Sequence, residues 1–212
     1  MHDRRDQPQR VRRVDRLSAV TTALLAVVAL GSCGKSDPSS QNLPSRAEGA
    51  KVNAGQKAST AAFCDFHKAD DSGPVLQLPE VGEYKVTSKP GSWTWLNVWA
   101  TWCKPCVDEM PKLATWQQKL EAGGKKIDLE FISVDETDDQ VAAYQKAHHD
   151  PPHTARITDQ KAKETWFKQL GLDAGAPIPL HIFVSPTGHV RCARAGSVRE
   201  QDLAAIELLL TE

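Results

Sequence analysis

The sequence predicts an α/β fold with a central mixed β-sheet flanked by helices. A strand-like run at 93–99 is followed by a helical pattern, and strands and helices alternate as far as residue 170. A hairpin and a closing helix then complete the chain. Alternating strands and helices favour parallel pairing, whereas a hairpin adds antiparallel strands. The sheet should therefore be mixed.

The first predicted strand and helix meet at a pair of cysteines. Residues 93–99 (WTWLNVW) are aromatic and β-branched, as in a buried strand. Beyond the cysteines, Leu113, Trp116 and Leu120 recur at helical spacing, and two glycines end that helix. Residues 127–134 alternate as a second strand. The patterns that follow predict a helix at 136–148, a short strand at 154–158, a helix at 160–170, hairpin strands at 180–184 and 189–195, and a helix at 200–210.

The amino-terminal segment, residues 1–32, has the pattern of a lipoprotein signal peptide. A charged region ends at Arg16, and an uncharged apolar run follows at 17–30. That run is shorter than the roughly 20 residues that span a membrane, but it suits a signal-peptide core. It ends in Leu-Gly-Ser-Cys, which is similar to a bacterial lipobox, so we expect Cys33 to be lipidated. The alternative is an uncleaved anchor helix.

Residues 33–60 are predicted to be the lipidated cysteine and a flexible linker, and residues 61–212 the folded domain. The linker is rich in Ser, Gly, Ala and Lys and would reach roughly 30 Å as a coil. This organisation places the domain in the bacterial cell envelope, facing the periplasm or the exterior. The net charge of the chain is −1. Its basic surplus lies in the leader, so no nucleic-acid partner is expected.

The motif WATWCKPCVDEMP, at 99–111, contains a Cys-x-x-Cys pair that could be half a zinc site, a structural bridge or a redox centre. Zinc needs four ligands, but the folded part offers only the distant Cys64 and Cys192 besides this pair, so no metal is expected. A structural bridge across so short a loop would remove little unfolded-state entropy. A strand followed by a helix would instead place Cys103 at a helix N-terminus, where free N–H groups stabilise a thiolate. Cys106 would follow one turn later, and the pair is interpreted as a redox centre.

These residues resemble the thioredoxin superfamily, specifically the extracytoplasmic TlpA/ResA-like thiol–disulfide oxidoreductases. The match consists of "WATWC-x-P-C" followed by "EMP", and of residues 179–190 (PLHIFVSPTGHV), which resemble that branch's cis-proline strand and hairpin. The resemblance covers about 74–210. It implies that Pro179 is a cis-proline facing the disulfide, and that the backbone of Ile178 pairs with an extended substrate peptide.

The chemistry and the resemblance together assign roles at the site. Cys103 should attack a substrate disulfide, and Cys106 should resolve the mixed disulfide. Glu109 matches an acid that this branch holds near the sulfurs; it would relay a proton to or from Cys106, or it is a solvated helix acid. Trp102 would cover one side of the substrate groove, although core packing is an alternative. His181 departs from the small hydroxyl residues usual in the family and is interpreted as an ordinary strand histidine, although it could titrate near the sulfurs.

The expected function is that of a membrane-anchored thiol–disulfide oxidoreductase without an organic cofactor, acting as a monomer. The resemblance implies that it reduces disulfides of extracytoplasmic proteins, apocytochrome c among them, with electrons from a membrane or periplasmic thiol donor. One alternative is a thiol peroxidase of the AhpC/TSA type, although residues 97–103 have neither the proline nor the hydroxyl at the spacing of that signature. Another is a non-enzymatic copper-binding or assembly protein on the same fold.

Two further cysteines, Cys64 and Cys192, lie outside the motifs. An even pair outside the cytoplasm tends to be oxidised. A Cys64–Cys192 bridge, tying the start of the domain to the hairpin, and two independent buried thiols are both open at this point.

Overall fold

The structure is a computed structural model that describes residues 58–82, 89–149 and 151–212. The predicted signal peptide, Cys33 and most of the predicted linker lie outside these described residues. Within them, no helix is long and apolar enough to span a membrane.

Six strands and five helices make up the described part of the chain. The strands are β1 (Phe66–His67), β2 (Trp93–Trp99), β3 (Ile127–Ser133), β4 (Thr154–Arg156), β5 (Leu180–Val184) and β6 (Val190–Ala195). The helices are α1 (Thr60–Phe63), α2 (Lys104–Ala122), α3 (Asp138–Ala147), α4 (Gln160–Gln169) and α5 (Leu203–Leu209), the last preceded by a 3₁₀ turn at Glu200–Asp202.

The strands form one mixed sheet in the order β1-β6-β5-β2-β3-β4. β2, β3 and β4 pair in parallel, whereas β2–β5, β5–β6 and β1–β6 pair antiparallel. The predicted mixed sheet with flanking helices is confirmed. All seven residues of β2 are buried, as expected for a central strand covered on both faces.

The pairing of β2 with β5 determines which side chains meet over the sheet. Asn97 lies directly opposite His181, and Trp95 lies opposite Phe183 with the two rings stacked at 5.0 Å. Because alternate residues of a strand share a face, Trp95 and Asn97 on β2 and His181 and Phe183 on β5 point to the same side. Contacts of Glu109 with Asn97 and His181 show that α2 packs over this face.

Helix α2 runs for 19 residues, with its apolar side chains on the sheet. It ends at Gly123, and Gly124 follows with φ of +83°, a left-handed conformation that glycine adopts without steric cost. The two glycines at the predicted helix end therefore have a direct physical role.

The first two elements, α1 and β1, were not predicted from the sequence. They contain four and two residues, too few for a periodic pattern. β1 pairs with β6, and a disulfide joins Cys64 to Cys192 beside this pairing, with their Cα atoms 5.5 Å apart. The start of the domain is thus attached to the edge of the sheet by hydrogen bonds and a covalent bridge.

Candidate active site

The Cys-x-x-Cys pair lies where β2 leads into α2. Cys103 is the N-cap residue of α2, and a disulfide links it to Cys106, with their Cα atoms 5.3 Å apart. The backbone N–H of Cys106 donates to Sγ of Cys103 at 3.3 Å. Cys106 is fully buried, whereas Cys103 retains 5% exposure. After reduction, Cys103 would therefore be the sulfur that a partner can reach, with a helix N-terminus to stabilise its thiolate.

A buried carboxylate fixes the turn that carries Cys103. Asp135, fully buried, accepts hydrogen bonds from the backbone N–H of Thr101 at 3.0 Å and from its hydroxyl at 2.7 Å. The hydroxyl of Ser133, at the end of β3, donates to the same carboxylate at 2.7 Å. The end of β3 thus holds the residues just before the disulfide in one conformation.

Cys103 opens onto a groove of about 620 Å³. Trp102 and Pro105 line it on one side, and Phe167 of α4 and Ile178 line it too. The Ile178–Pro179 peptide bond is cis. Trp102 is 64% exposed, so it lines the groove and is not part of the core. The groove therefore offers an apolar surface directly beside the outer sulfur.

Two lysines border the same groove. Lys104 pairs with Asp108 one turn along α2, with Nζ 2.6 Å from the carboxylate. Lys163 of α4 also lines the groove. Asp108 thus balances the charge of Lys104, and Lys163 adds a second positive charge at this edge.

Glu109 lies on the inner face of α2, three residues after Cys106, and is 4% exposed. Its Oε1 accepts from Nδ2 of Asn97 at 3.3 Å, and its Oε2 accepts from the backbone N–H of Val198 at 3.2 Å. Residues three apart on a helix share a face, so Glu109 and Cys106 both face the interior. The solvated-acid alternative for Glu109 does not fit this burial.

His181 was interpreted from the sequence as an ordinary strand histidine, but it lies with Asn97 against Glu109, and these three side chains form a buried group called here the Glu109 cluster. It is fully buried, and its Nε2 lies 3.2 Å from Oε1 of Glu109. Its Nδ1 accepts a hydrogen bond from Nε1 of Trp95 at 3.2 Å. The only sequence signal was the histidine itself, two residues after Pro179, where the family usually has a small hydroxyl residue.

The groove residues on α4 were also missed, whereas Trp102 and Ile178 were expected at the substrate groove and line it. Phe167 and Lys163 read in the sequence as parts of an amphipathic helix, and nothing local indicated that this helix borders the cysteines. A second groove, of about 780 Å³, lies beside α2 and is lined by His148, His149 and His153 but by no cysteine. Within the described residues, no group of three or more His, Cys, Asp and Glu side chains is arranged to hold a metal ion.

A disulfide at the N-terminus of a helix, beside a cis-proline loop at the end of a mixed sheet, defines a protein of the thioredoxin superfamily. The AhpC/TSA family model matches residues 62–193, and the chain belongs to that family. The match includes both cysteine pairs, Glu109 and His181.

Several curated relatives are thiol-disulfide oxidoreductases. The chain is 25% identical over 134 residues to the thiol-disulfide oxidoreductase ResA of Oceanobacillus iheyensis, covering 59% of this chain and 64% of the relative. It is 24% identical over 136 residues to ResA of Bacillus subtilis, covering 64% and 66%. The matched region is thus slightly under two thirds of the length of these relatives.

Among solved structures, a thioredoxin-related protein from Neisseria meningitidis serogroup B is 26% identical, with a TM-score of 0.49. The match covers 63% of this chain and 96% of that protein.

Proposed function

We propose that this protein is a thiol–disulfide oxidoreductase that exchanges electrons with protein disulfides through Cys103 and Cys106. In this proposal Cys103 forms the mixed disulfide and Cys106 resolves it. Glu109 accepts the proton that the Cys106 thiol loses, and the groove of Trp102 and Ile178 binds the substrate chain.

The observation that carries the proposal is the unequal placement of the two sulfurs. Cys103 is the N-cap of α2, its Sγ accepts a hydrogen bond from a helix N–H, and it borders an open groove. Cys106, in contrast, is fully buried. Exchange requires one accessible, readily ionised sulfur and a second sulfur within bonding distance. The names of the ResA relatives support the same reaction class.

The rival function, thiol peroxidase, also belongs within the AhpC/TSA family. A peroxidatic cysteine acts with a nearby proline and hydroxyl, and residues 97–103 of this chain lack both at that spacing. Here the cysteine has instead a partner three residues away, to which it is already bonded. This pairing favours disulfide exchange.

We further propose that the domain works outside the cytoplasm, attached to the bacterial envelope through a lipid on Cys33. The Cys64–Cys192 bridge supports an oxidising compartment, where disulfides persist. Its substrates would be extracytoplasmic protein disulfides, such as those of apocytochrome c, and its electrons would come from a membrane or periplasmic thiol donor. Substitution Cys33→Ser should move the chain from the membrane fraction to the soluble fraction.

The direction of exchange depends on the reduction potential of the Cys103/Cys106 couple. We propose a reductase, which requires a potential well below the roughly −180 mV typical of oxidising exchange enzymes. Equilibration of the full chain with glutathione buffers measures this potential. A value far above that figure would assign the protein as an oxidant or isomerase.

The decisive experiment is reduction of insulin disulfides by the full chain with dithiothreitol as donor. The wild type should accelerate precipitation of the insulin B chain, and both Cys103→Ser and Cys106→Ser should abolish turnover. When the reduced variants are mixed with insulin without dithiothreitol, only Cys106→Ser should retain a stable mixed disulfide, because Cys103 remains to form it. Rapid peroxide consumption that needs Cys103 alone, without insulin reduction, would establish the peroxidase instead.

A further inference from the structure

The Glu109 cluster contains His181, which has no role in the exchange reaction as proposed above. Three side chains, on three different elements, meet there with almost no exposure: Glu109 on α2, Asn97 on β2 and His181 on β5. Burying a carboxyl group and an imidazole together is costly unless each polar atom finds a partner. The partners in this cluster also determine where each proton lies.

Trp95 fixes the tautomer of His181. An indole N–H can only donate, and Nε1 of Trp95 donates to Nδ1 of His181 at 3.2 Å. Nδ2 of Asn97, also a donor, lies 3.4 Å from the same nitrogen. Nδ1 is therefore the acceptor, and the neutral ring carries its proton on Nε2.

The proton on Nε2 faces Glu109. The Nε2···Oε1 distance is 3.2 Å, although the N–H does not point straight at the oxygen, so the contact is a bent polar pairing. A modest tilt of either side chain would make it a hydrogen bond. With Asn97 donating to the same oxygen and Val198 to the other, the Glu109 carboxylate would have three donors around it.

We propose that His181 is a positioning residue for the exchange reaction: its Nε2–H orients the Glu109 carboxylate that accepts the proton of the Cys106 thiol. This inference rests on the proposed function. The resolving step is balanced as follows. The Cys106 thiol gives its proton to Glu109, and the thiolate attacks Sγ of Cys103. A Cys103–Cys106 bond forms as the Cys103–substrate bond breaks, and its electron pair leaves on the substrate sulfur, which is then protonated. The dithiol has lost two electrons and the substrate has gained them.

Other charged groups around the cluster are engaged elsewhere. Lys112, on α2, donates to the carbonyl oxygen of Val198. Arg194 on β6, opposite His181 in the sheet, donates to the carbonyl of Phe63 at 2.7 Å and lies 3.8 Å from Asp202. Among the described residues, Lys112 and Arg194 therefore pair with groups other than Glu109. A pH effect of a His181 substitution would report on the Glu109–Cys106 proton transfer.

Two substitutions distinguish the role of Nε2 of His181 from the role of its Nδ1. His181→Gln places an amide N–H near the position of Nε2 and keeps a donor for Glu109, while His181→Asn places an amide oxygen near Nδ1 and keeps an acceptor for Trp95. The reduced full chain is mixed with 5,5′-dithiobis(2-nitrobenzoate), which attaches one thionitrobenzoate to Cys103. A second thionitrobenzoate is released when Cys106 resolves the adduct, so the two colour phases separate attack from resolution.

His181→Asn should slow the second phase about tenfold at neutral pH, less than the roughly hundredfold expected when the base itself is removed by Glu109→Gln. Its pH profile should move to higher pH, because a carboxylate that has lost a hydrogen-bond donor is protonated more readily and is then not free to accept the proton of Cys106. His181→Gln should stay within about twofold of wild type, and the first phase should be unchanged in both. In a Glu109→Gln background, His181→Asn should add nothing. If His181→Asn fails to fold, His181→Leu serves as the variant without a donor.

The inference is overturned if both variants keep the wild-type second phase and pH profile. It is also overturned if Gln slows resolution and Asn does not, since the role would then be to support Trp95. A wild-type chain that shows no second phase, or does not reduce insulin, would instead contradict the proposed function. The two failures are therefore distinguishable.

Discussion

The backbone N–H of Cys106 donates to Sγ of Cys103 across a single turn at the start of α2. The turn that brings the two sulfurs together therefore also directs a helix N–H at Sγ of Cys103, the more exposed of the two. Because a thiolate accepts a hydrogen bond much more strongly than a neutral thiol does, this geometry favours the thiolate of Cys103. The exchange chemistry depends on it, together with the groove that admits a partner.

Substitution Trp102→Ala should reduce kcat/KM for insulin about tenfold while leaving the melting temperature within about a degree of wild type. Trp102 is largely exposed and lines the groove beside Cys103, so its side chain contributes to partner binding more than to the core. Steady-state kinetics and thermal unfolding measure the two quantities. Val75→Ala, at a residue 55% exposed outside the groove, is the matched control. A large loss of stability with unchanged kcat/KM would contradict this role.

The two disulfides should differ in what they stabilise. Cys64→Ala with Cys192→Ala should lower the free energy of unfolding by about 2–4 kcal/mol, because that bridge closes a separation of 128 residues. Insulin reduction should persist near wild type at temperatures where the variant is folded. Urea unfolding and the insulin assay provide the measurements.

The control for that variant is removal of the other pair, Cys103 and Cys106, whose separation is 3 residues. It should change stability far less and abolish activity. Reversed results, with activity lost on removing Cys64 and Cys192, would make the second bridge part of the exchange chemistry.

Substitution Asp135→Ala should cost about 2–3 kcal/mol and reduce exchange activity, because it leaves the donors of Thr101 and Ser133 buried without their acceptor. Thr101→Val removes one of these bonds and should cost about 1 kcal/mol. Chemical denaturation measures both. Asp135→Ala with wild-type stability would show that the turn before Cys103 is held by other contacts.

Glu212 should stabilise the fold near neutral pH and lose this contribution in acid, when its carboxylate becomes protonated. Burial opposes its ionisation, but hydrogen bonds from Thr60 and His67 outweigh burial and hold the pKa of Glu212 below its ordinary value. A carboxyl group whose pKa falls on folding stabilises the protein above its unfolded pKa, about 4.3, and this contribution is lost as the pH falls through the lower, folded value. Glu212→Gln should therefore melt a few degrees below wild type at pH 7, with the difference shrinking below about pH 4. A difference independent of pH would indicate lost packing alone.

Residue patterns predicted most of the sheet and helices because the central elements are long and strongly apolar. The strand at 93–99 was predicted with its observed bounds, since all its residues are buried and the cysteine motif marks its end. The paired glycines likewise marked the end of α2. In contrast, α1 and β1 exist only because β6 and the Cys64–Cys192 bridge hold them, which no local pattern reveals.

Sequence motifs located the two sulfurs and Glu109, but not the partners of Glu109. Glu109 and His181 are 72 residues apart in the chain and meet only because β5 pairs with β2 in a register that sets His181 opposite Asn97. Register depends on the whole sheet, so the cluster could be recognised only once the strands were paired. The same holds for Phe167 and Lys163, which reach the groove from a separate helix.

Selective alkylation of the reduced chain tests the central claim most directly. An ordinary cysteine, with a pKa of about 8.5, is almost entirely protonated at pH 6 and reacts slowly with iodoacetamide. We predict that Cys103 is modified at pH 6 at least about tenfold faster than Cys106, as measured by peptide mass spectrometry over time. Equal modification of the two cysteines, or a Cys103 that reacts only after unfolding, would contradict the claim that Cys103 is an accessible, readily ionised thiol at the N-terminus of α2.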